Sequence, residues 1–193
     1  METMKHIAIF ASGKGSNADN ICSYFKHHPV VKVSLIVSDR KEAGVFQVAE
    51  KHGIPSIYIN KAGWQDPTVL LENLNVYHID LIVLAGFLKL IPQQLIQQYP
   101  HRIINIHPAL LPKYGGHGMF GHHVHHAVYQ AGEKETGITV HYVDEHYDSG
   151  DIIFQVSVAL NKGDDPEVIA ARIHQLEMKH FPQVIEKLLT EKI

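Results

Sequence analysis

Asn105 and His107 are separated by a single residue at the end of the apolar run Ile103-Ile104-Asn105-Ile106-His107, and Pro108 follows immediately. In extended chain, alternate residues share a face, so both side chains reach one pocket. Pro108 has no N–H to give to a ladder and ends the strand. An Asn amide is a neutral donor for a developing oxyanion, and a His supplies a proton or a positive charge. The pair therefore suits acyl or formyl transfer through a tetrahedral intermediate. The same triplet also reads as a polar pair that satisfies a strand end.

A second cluster, Ser12-Gly13-Lys14-Gly15-Ser16-Asn17, follows the first apolar run. Its glycines let the backbone curl just before a helix, where N–H groups at the positive end of the dipole suit a phosphate. Ser16 and Asn17 add side-chain donors or a cap. The segment is not a P-loop, and as a dinucleotide fingerprint it is broken, since Ala18 stands where the third glycine belongs. Asp39 does sit where a ribose-binding acid would follow. A nicotinamide-dependent dehydrogenase and a plain strand-to-helix turn thus remain open readings of this stretch.

The elements that hold these residues alternate along the chain. Strands are predicted at 6–11, 31–38, 56–59, 81–85 and 103–106, with helices at 17–26, 43–52, 67–77 and 92–99 between them. Pro67 and Pro92 stand where a first helical turn tolerates a missing N–H. Short buried strands joined by helices imply a mostly parallel, twisted α/β sheet with helices on both faces. After residue 132 the pattern changes to two strands, 137–143 and 151–158, around a polar segment, and a long amphipathic helix at 166–189. One domain over 1–193 is expected. Ligands in such sheets gather beyond the carboxyl ends of the strands, where both clusters fall.

With 193 residues, 45% hydrophobic and 19% charged, the chain is of soluble globular composition. A net charge of −3 gives no electrostatic footprint for nucleic acid or an anionic membrane. Cys22 is the sole cysteine, which excludes an intrachain disulfide and a thiolate metal cage. With no signal-like N-terminus, a cytoplasmic location is expected.

Taken together, Ser-Gly-x-Gly-Ser-Asn, Leu84-Ala85-Gly86-Phe87, Asn105-Ile106-His107-Pro108-x-Leu110-Leu111-Pro112-Lys113-Tyr114, Gly137-x-x-Val140-His141 and Asp148-x-Gly150 occur in one order over nearly the whole chain. In this the sequence resembles the folate-dependent formyltransferases, within them the branch that formylates a small ribotide. The resemblance implies a single-domain, Rossmann-like formyltransferase fold and a one-carbon transferase of purine biosynthesis. It would move the formyl group of 10-formyltetrahydrofolate, a co-substrate, to the amine of phosphoribosylglycinamide, with no metal required. Its partners would be those small molecules, with no nucleic acid or membrane, and the protein a monomer or weak homodimer.

Carried over residue by residue, Asn105 and His107 stabilise the oxyanion, and Asp148 pairs with His107 and raises its pKa. Gly15, Ser16 and Asn17 hold the ribotide phosphate, while His174 and Glu177 face its glycinamide end from one side of the last helix. Leu88, Lys89, Leu90, Ile91 and Asn105, with Asp144, Glu145, His146, Tyr147 and Asp148, form the folate site, largely through backbone groups. Without the resemblance, Asp148 is a turn former with Asp144 and Asp151 as competitors, and Glu177 is a solvated helix residue. Lys89 stands where many relatives carry Arg and offers only a point charge. The segment 115–121 is longer and richer in glycine than in relatives, and Ser149-Gly150 replaces a Gly-Gly.

His117, His122, His123, His125 and His126 crowd one stretch among sixteen histidines. On a helix starting near Gly121, His122 faces His125 and His126 at metal-binding spacing, yet no acid or cysteine accompanies them, so no metal site is expected. A histidine-rich metal-binding module is the non-enzyme rival. Within the family the rival is a formyltetrahydrofolate hydrolase, which normally carries a further N-terminal domain. A tRNA formyltransferase would need a C-terminal one.

Overall fold

The computed structural model describes residues 3–191. Seven strands form one sheet in the order β3-β2-β1-β4-β5-β6-β7. β1 (Lys5–Phe10), β2 (Val31–Ser38), β3 (Ser56–Tyr58), β4 (Leu81–Leu84) and β5 (Ile103–His107) run parallel; β6 (Glu135–Tyr142) adds antiparallel to β5, and β7 (Ile152–Ala159) antiparallel to β6. The change of grammar after residue 132 is this change of direction.

β4 is apolar at every position, and β1 from Ile7 to Phe10, because both faces of the sheet are covered there. Along β1, Ile7 and Ile9 pack on one side with α1 (Ser16–Phe25) and α7 (Pro166–Thr190), while Ala8 and Phe10 pack on the other. That second face is covered by α4 (Thr68–Val76) and α5 (Gln93–Gln98) through Leu70, Leu74 and Leu95. Edge strand β7 alternates between exposed and half-buried, as one covered face requires. α2 (Val45–His52) and α6 (His122–Gln130) complete the set, with a short α3 (Lys61–Gln65) that the sequence pattern does not predict. Asn60 caps α3 by accepting from Gly63 N at 2.9 Å. Among the described residues no helix is long and apolar enough to cross a membrane.

α7 carries Pro166 in its first turn, after Asp165, whose side chain accepts from Val168 N. It also carries Pro182 in its interior, which has no N–H for the carbonyl four residues back, that of Met178. Asn20 of α1 donates to that carbonyl at 2.7 Å. The proline's cost is thus offset by a side chain from the neighbouring helix, and this fixes α1 against α7 beside the site.

Candidate active site

β1 has β2 and β4 as neighbours, so strand order reverses between β1 and β4, and the loops leaving these strands meet there. Ser12 binds them together: its N–H donates to Gly86 O at 3.1 Å, and its hydroxyl donates to Asp39 Oδ1 at 2.6 Å and accepts from Leu88 N at 3.1 Å. The Asp39 side chain is only 5% exposed, with Lys89 Nζ at 3.9 Å. Its carboxylate is spent on this junction, which corrects its reading as a ribose-binding acid of a dinucleotide site. Lys89 points partly back at it.

Gly15, at φ 83°, is the N-cap of α1, with no side-chain cap. Its left-handed backbone and the proximity of Val45, 2.9 Å from where a Cβ would stand, both demand glycine. Ser16 is exposed and Asn17 lies in the wall of a pocket at the strands' carboxyl ends. Asn17 Nδ2 donates to Glu177 Oε2 at 2.9 Å, and His174 Nδ1 lies 3.7 Å from the same oxygen. Burial raises the Glu177 carboxyl above its ordinary pKa, against the opposing pull of Asn17 and His174. Asn17 Oδ1 is itself buried without a partner among the described residues.

At the pocket's centre β5 presents Asn105 and His107. His107 is 3% exposed; its Nε2 donates to Tyr114 O at 2.7 Å, and its Nδ1 faces Asp148 Oδ2 at 3.4 Å. The carboxylate also accepts from Gly116 N at 3.0 Å and from Asn105 Nδ2 at 3.3 Å. The other Asn105 contact is His141 Nε2 at 3.1 Å, and His141 Nδ1 donates to Tyr142 O at 2.7 Å. His141 Nε2 also lies 3.6 Å from Asp148 Oδ1. The antiparallel register pairs Asn105 with His141 directly. Sequence reading quoted His141 only within a motif; β5–β6 pairing is the signal that places it in the site.

Burial lowers the His107 pKa, and the charge of Asp148 and the Tyr114 carbonyl do not make up the difference. The carboxylate of Asp148 pulls the His107 pKa upward, as expected of a nearby anion, but removal of the imidazolium from water outweighs it. At Asp148 the local partners outweigh burial. Burial opposes its ionisation, yet His141, His107 and Gly116 N–H together hold its pKa below the ordinary carboxylate range. The site at rest is a neutral imidazole against a carboxylate anion.

The loops enforce this placement. Asp148 has φ 54° and Tyr114 φ 58°, and a Cβ at Gly150 would overlap the Tyr142 carbonyl, which is why Asp-x-Gly is required. Leu88, Lys89, Leu90 and Ile91 line the pocket, as do His146, Tyr147 and Asp148. Asp144 and Glu145 are not in that wall. Asp144 instead accepts from His146 N and Ser149 Oγ, and Glu145 accepts from Gln93 Nε2, so both serve the loop's shape through their side chains.

The histidine stretch splits. His125 is buried in the pocket wall, whereas His122, His123 and His126 are exposed, with the His122 and His126 rings 6.0 Å apart. His122 therefore does not face His125 and His126 as a set. No group of three or more potential ligands suited to a metal occurs among the described residues.

Comparison with known proteins places the chain among relatives of like sequence and fold. A family profile described as formyl transferase matches residues 5–185. A phosphoribosylglycinamide formyltransferase of Bacillus subtilis (strain 168) is 42% identical over 193 residues, 96% of this chain and 95% of its own length. A chloroplastic protein of that name from Arabidopsis thaliana is 40% identical over 98% of this chain, which spans 67% of the plant protein. The crystal structure of phosphoribosylglycinamide formyltransferase from Anaplasma phagocytophilum superimposes with a TM-score of 0.90 at 31% identity, covering 99% of this chain and 89% of its own. A match running from the first strand into the last helix, with the motifs meeting in one pocket, shows that the chain belongs to the formyl transferase family.

Proposed function

We propose that the protein transfers the formyl group of 10-formyltetrahydrofolate to the amine of phosphoribosylglycinamide in purine biosynthesis. The observation that carries this is the joining of three unlike surfaces in one pocket. They are the Asn17–Glu177 pair at the start of α1, the His107–Asp148–Asn105 centre, and a wall built from Leu88, Leu90, Ile91 and Tyr147. The start of α1, with Gly15, Ser16 and Asn17, suits the ribotide phosphate. Glu177 and His174 suit its polar glycinamide end. The apolar wall, with backbone groups of residues 88–91 and 144–148, suits a flat pterin, and Lys89 offers a charge to the folate's carboxylates.

In the reaction the amine attacks the formyl carbon, the carbonyl oxygen becomes anionic, and the bond to folate N10 breaks as a proton passes from the attacking to the leaving nitrogen. Asn105 supplies the neutral donor for that oxygen: its 3.3 Å contact with Asp148 is the more loosely held of its two and turns to the new charge. His107 takes the proton at Nδ1, because Nε2 is committed to Tyr114, and Asp148 stabilises the imidazolium so formed. His107 then returns the proton to the leaving nitrogen.

The reading includes a single catalytic domain working in the cytoplasm, as a monomer or weak homodimer, on small molecules alone. Tetrahydrofolate release measured with and without phosphoribosylglycinamide tests it. Turnover that needs both substrates is expected, and turnover independent of the ribotide would instead identify a hydrolase.

A further inference from the structure

His125 belongs to the pocket wall but takes no part in the network of His107, Asp148, Asn105 and His141. It is 8% exposed, and its Nδ1 is buried without a hydrogen-bond partner among the described residues. A shielded ring nitrogen left unpaired is costly, and the residue that carries it lines the pocket that a ligand would enter. Burial lowers the His125 pKa, and His107, His122 and His126 lower it further, so the ring is neutral. A neutral imidazole offers one donor and one acceptor and suits hydroxyl or amide groups better than a phosphate.

Its place in the fold selects the substrate. α6 packs against α7, and α7 supplies Ile173 and Glu177 to the wall, on the sheet face it shares with α1. Leu84, Phe87 and Ile91 build the opposite wall from the other core. We propose that His125 is a binding residue for the ribotide, completing its hydrogen bonding on the hydroxyl and amide groups between phosphate and amine. This rests on the substrate reading above.

His125→Phe keeps the ring volume and removes both nitrogens, whereas His125→Asn keeps a polar atom near the position of Nδ1. H125F is expected to raise KM for phosphoribosylglycinamide about 10-fold, leave KM for the formyl folate within about twofold, and be largely rescued in H125N. An unchanged ribotide KM, an equal rise in folate KM, or no rescue overturns the assignment. Should H125F not fold, ¹⁵N-histidine spectra of the unsubstituted protein decide, with the His125 signal assigned by its loss in H125N. That signal moves on saturation with ribotide, and its failure to move refutes the role. Unsubstituted protein that does not turn over the ribotide defeats the substrate reading itself, whereas normal turnover shared by H125F defeats only the assignment of His125.

Discussion

His107 turns Nδ1, not Nε2, toward the Asp148 carboxylate, at 3.4 Å, because Tyr114 O takes the Nε2 proton at 2.7 Å. That choice fixes which nitrogen titrates and makes Asp148 the partner of the charged state only. A neutral ring presents a lone pair to the anion, and a protonated ring presents a hydrogen bond.

Asp148→Asn removes the anion while keeping the shape. Turnover should fall on the order of 10²-fold or more with KM values little changed. The acid limb of the kcat profile should also move to lower pH, because the His107 imidazolium loses its stabilising charge. Steady-state kinetics across pH checks both, and unchanged turnover would remove Asp148 from the proton path.

Asn17→Ala deletes the donor to the buried Glu177 carboxylate. The expected result is a KM for the ribotide raised about 10-fold, with the folate KM unchanged. A change shared equally by both substrates would contradict the division of the pocket.

Much of this arrangement is legible in the sequence, and its limits are physical. The alternation that puts Asn105 and His107 on one face, and the glycine turn before α1, are local features that period and backbone chemistry dictate. The direction of the His107 pKa is not local, because it depends on how completely other elements cover the ring. Ser12 and His141 acquire roles only from contacts with residues distant in sequence, and Asp39 loses its expected one to Ser12. The short α3 escapes because Gly63 and Trp64 give it weak helical propensity, and only its Asn60 cap marks it.

Asn20→Ala should destabilise the fold by about 1–3 kcal/mol, since the Met178 carbonyl freed by Pro182 loses its donor. Denaturant unfolding measures this, and a loss well below that range would mean that water replaces Asn20 at no cost.

Stability should fall on acidification. His107 and His125 have folded pKa values below the ordinary 6.5, so their contribution is complete above 6.5 and is lost as pH falls from there through the folded values, where only the unfolded chain takes up protons. The depressed Asp148 acts with the same sign at lower pH. Glu177, raised above 4.5, opposes them: its contribution is complete below 4.5 and lost as pH rises through its folded value. Thermal melts between pH 7.5 and 5.5 should show a falling midpoint, and a rising one would refute the buried neutral imidazoles.

The central claim is that the formyl carbon ends on the ribotide's amine. With ¹³C in the formyl group of 10-formyltetrahydrofolate and phosphoribosylglycinamide present, NMR should show the label appearing as a ribotide formamide, one for each tetrahydrofolate released. Label accumulating as free formate, at a rate indifferent to the ribotide, would contradict it.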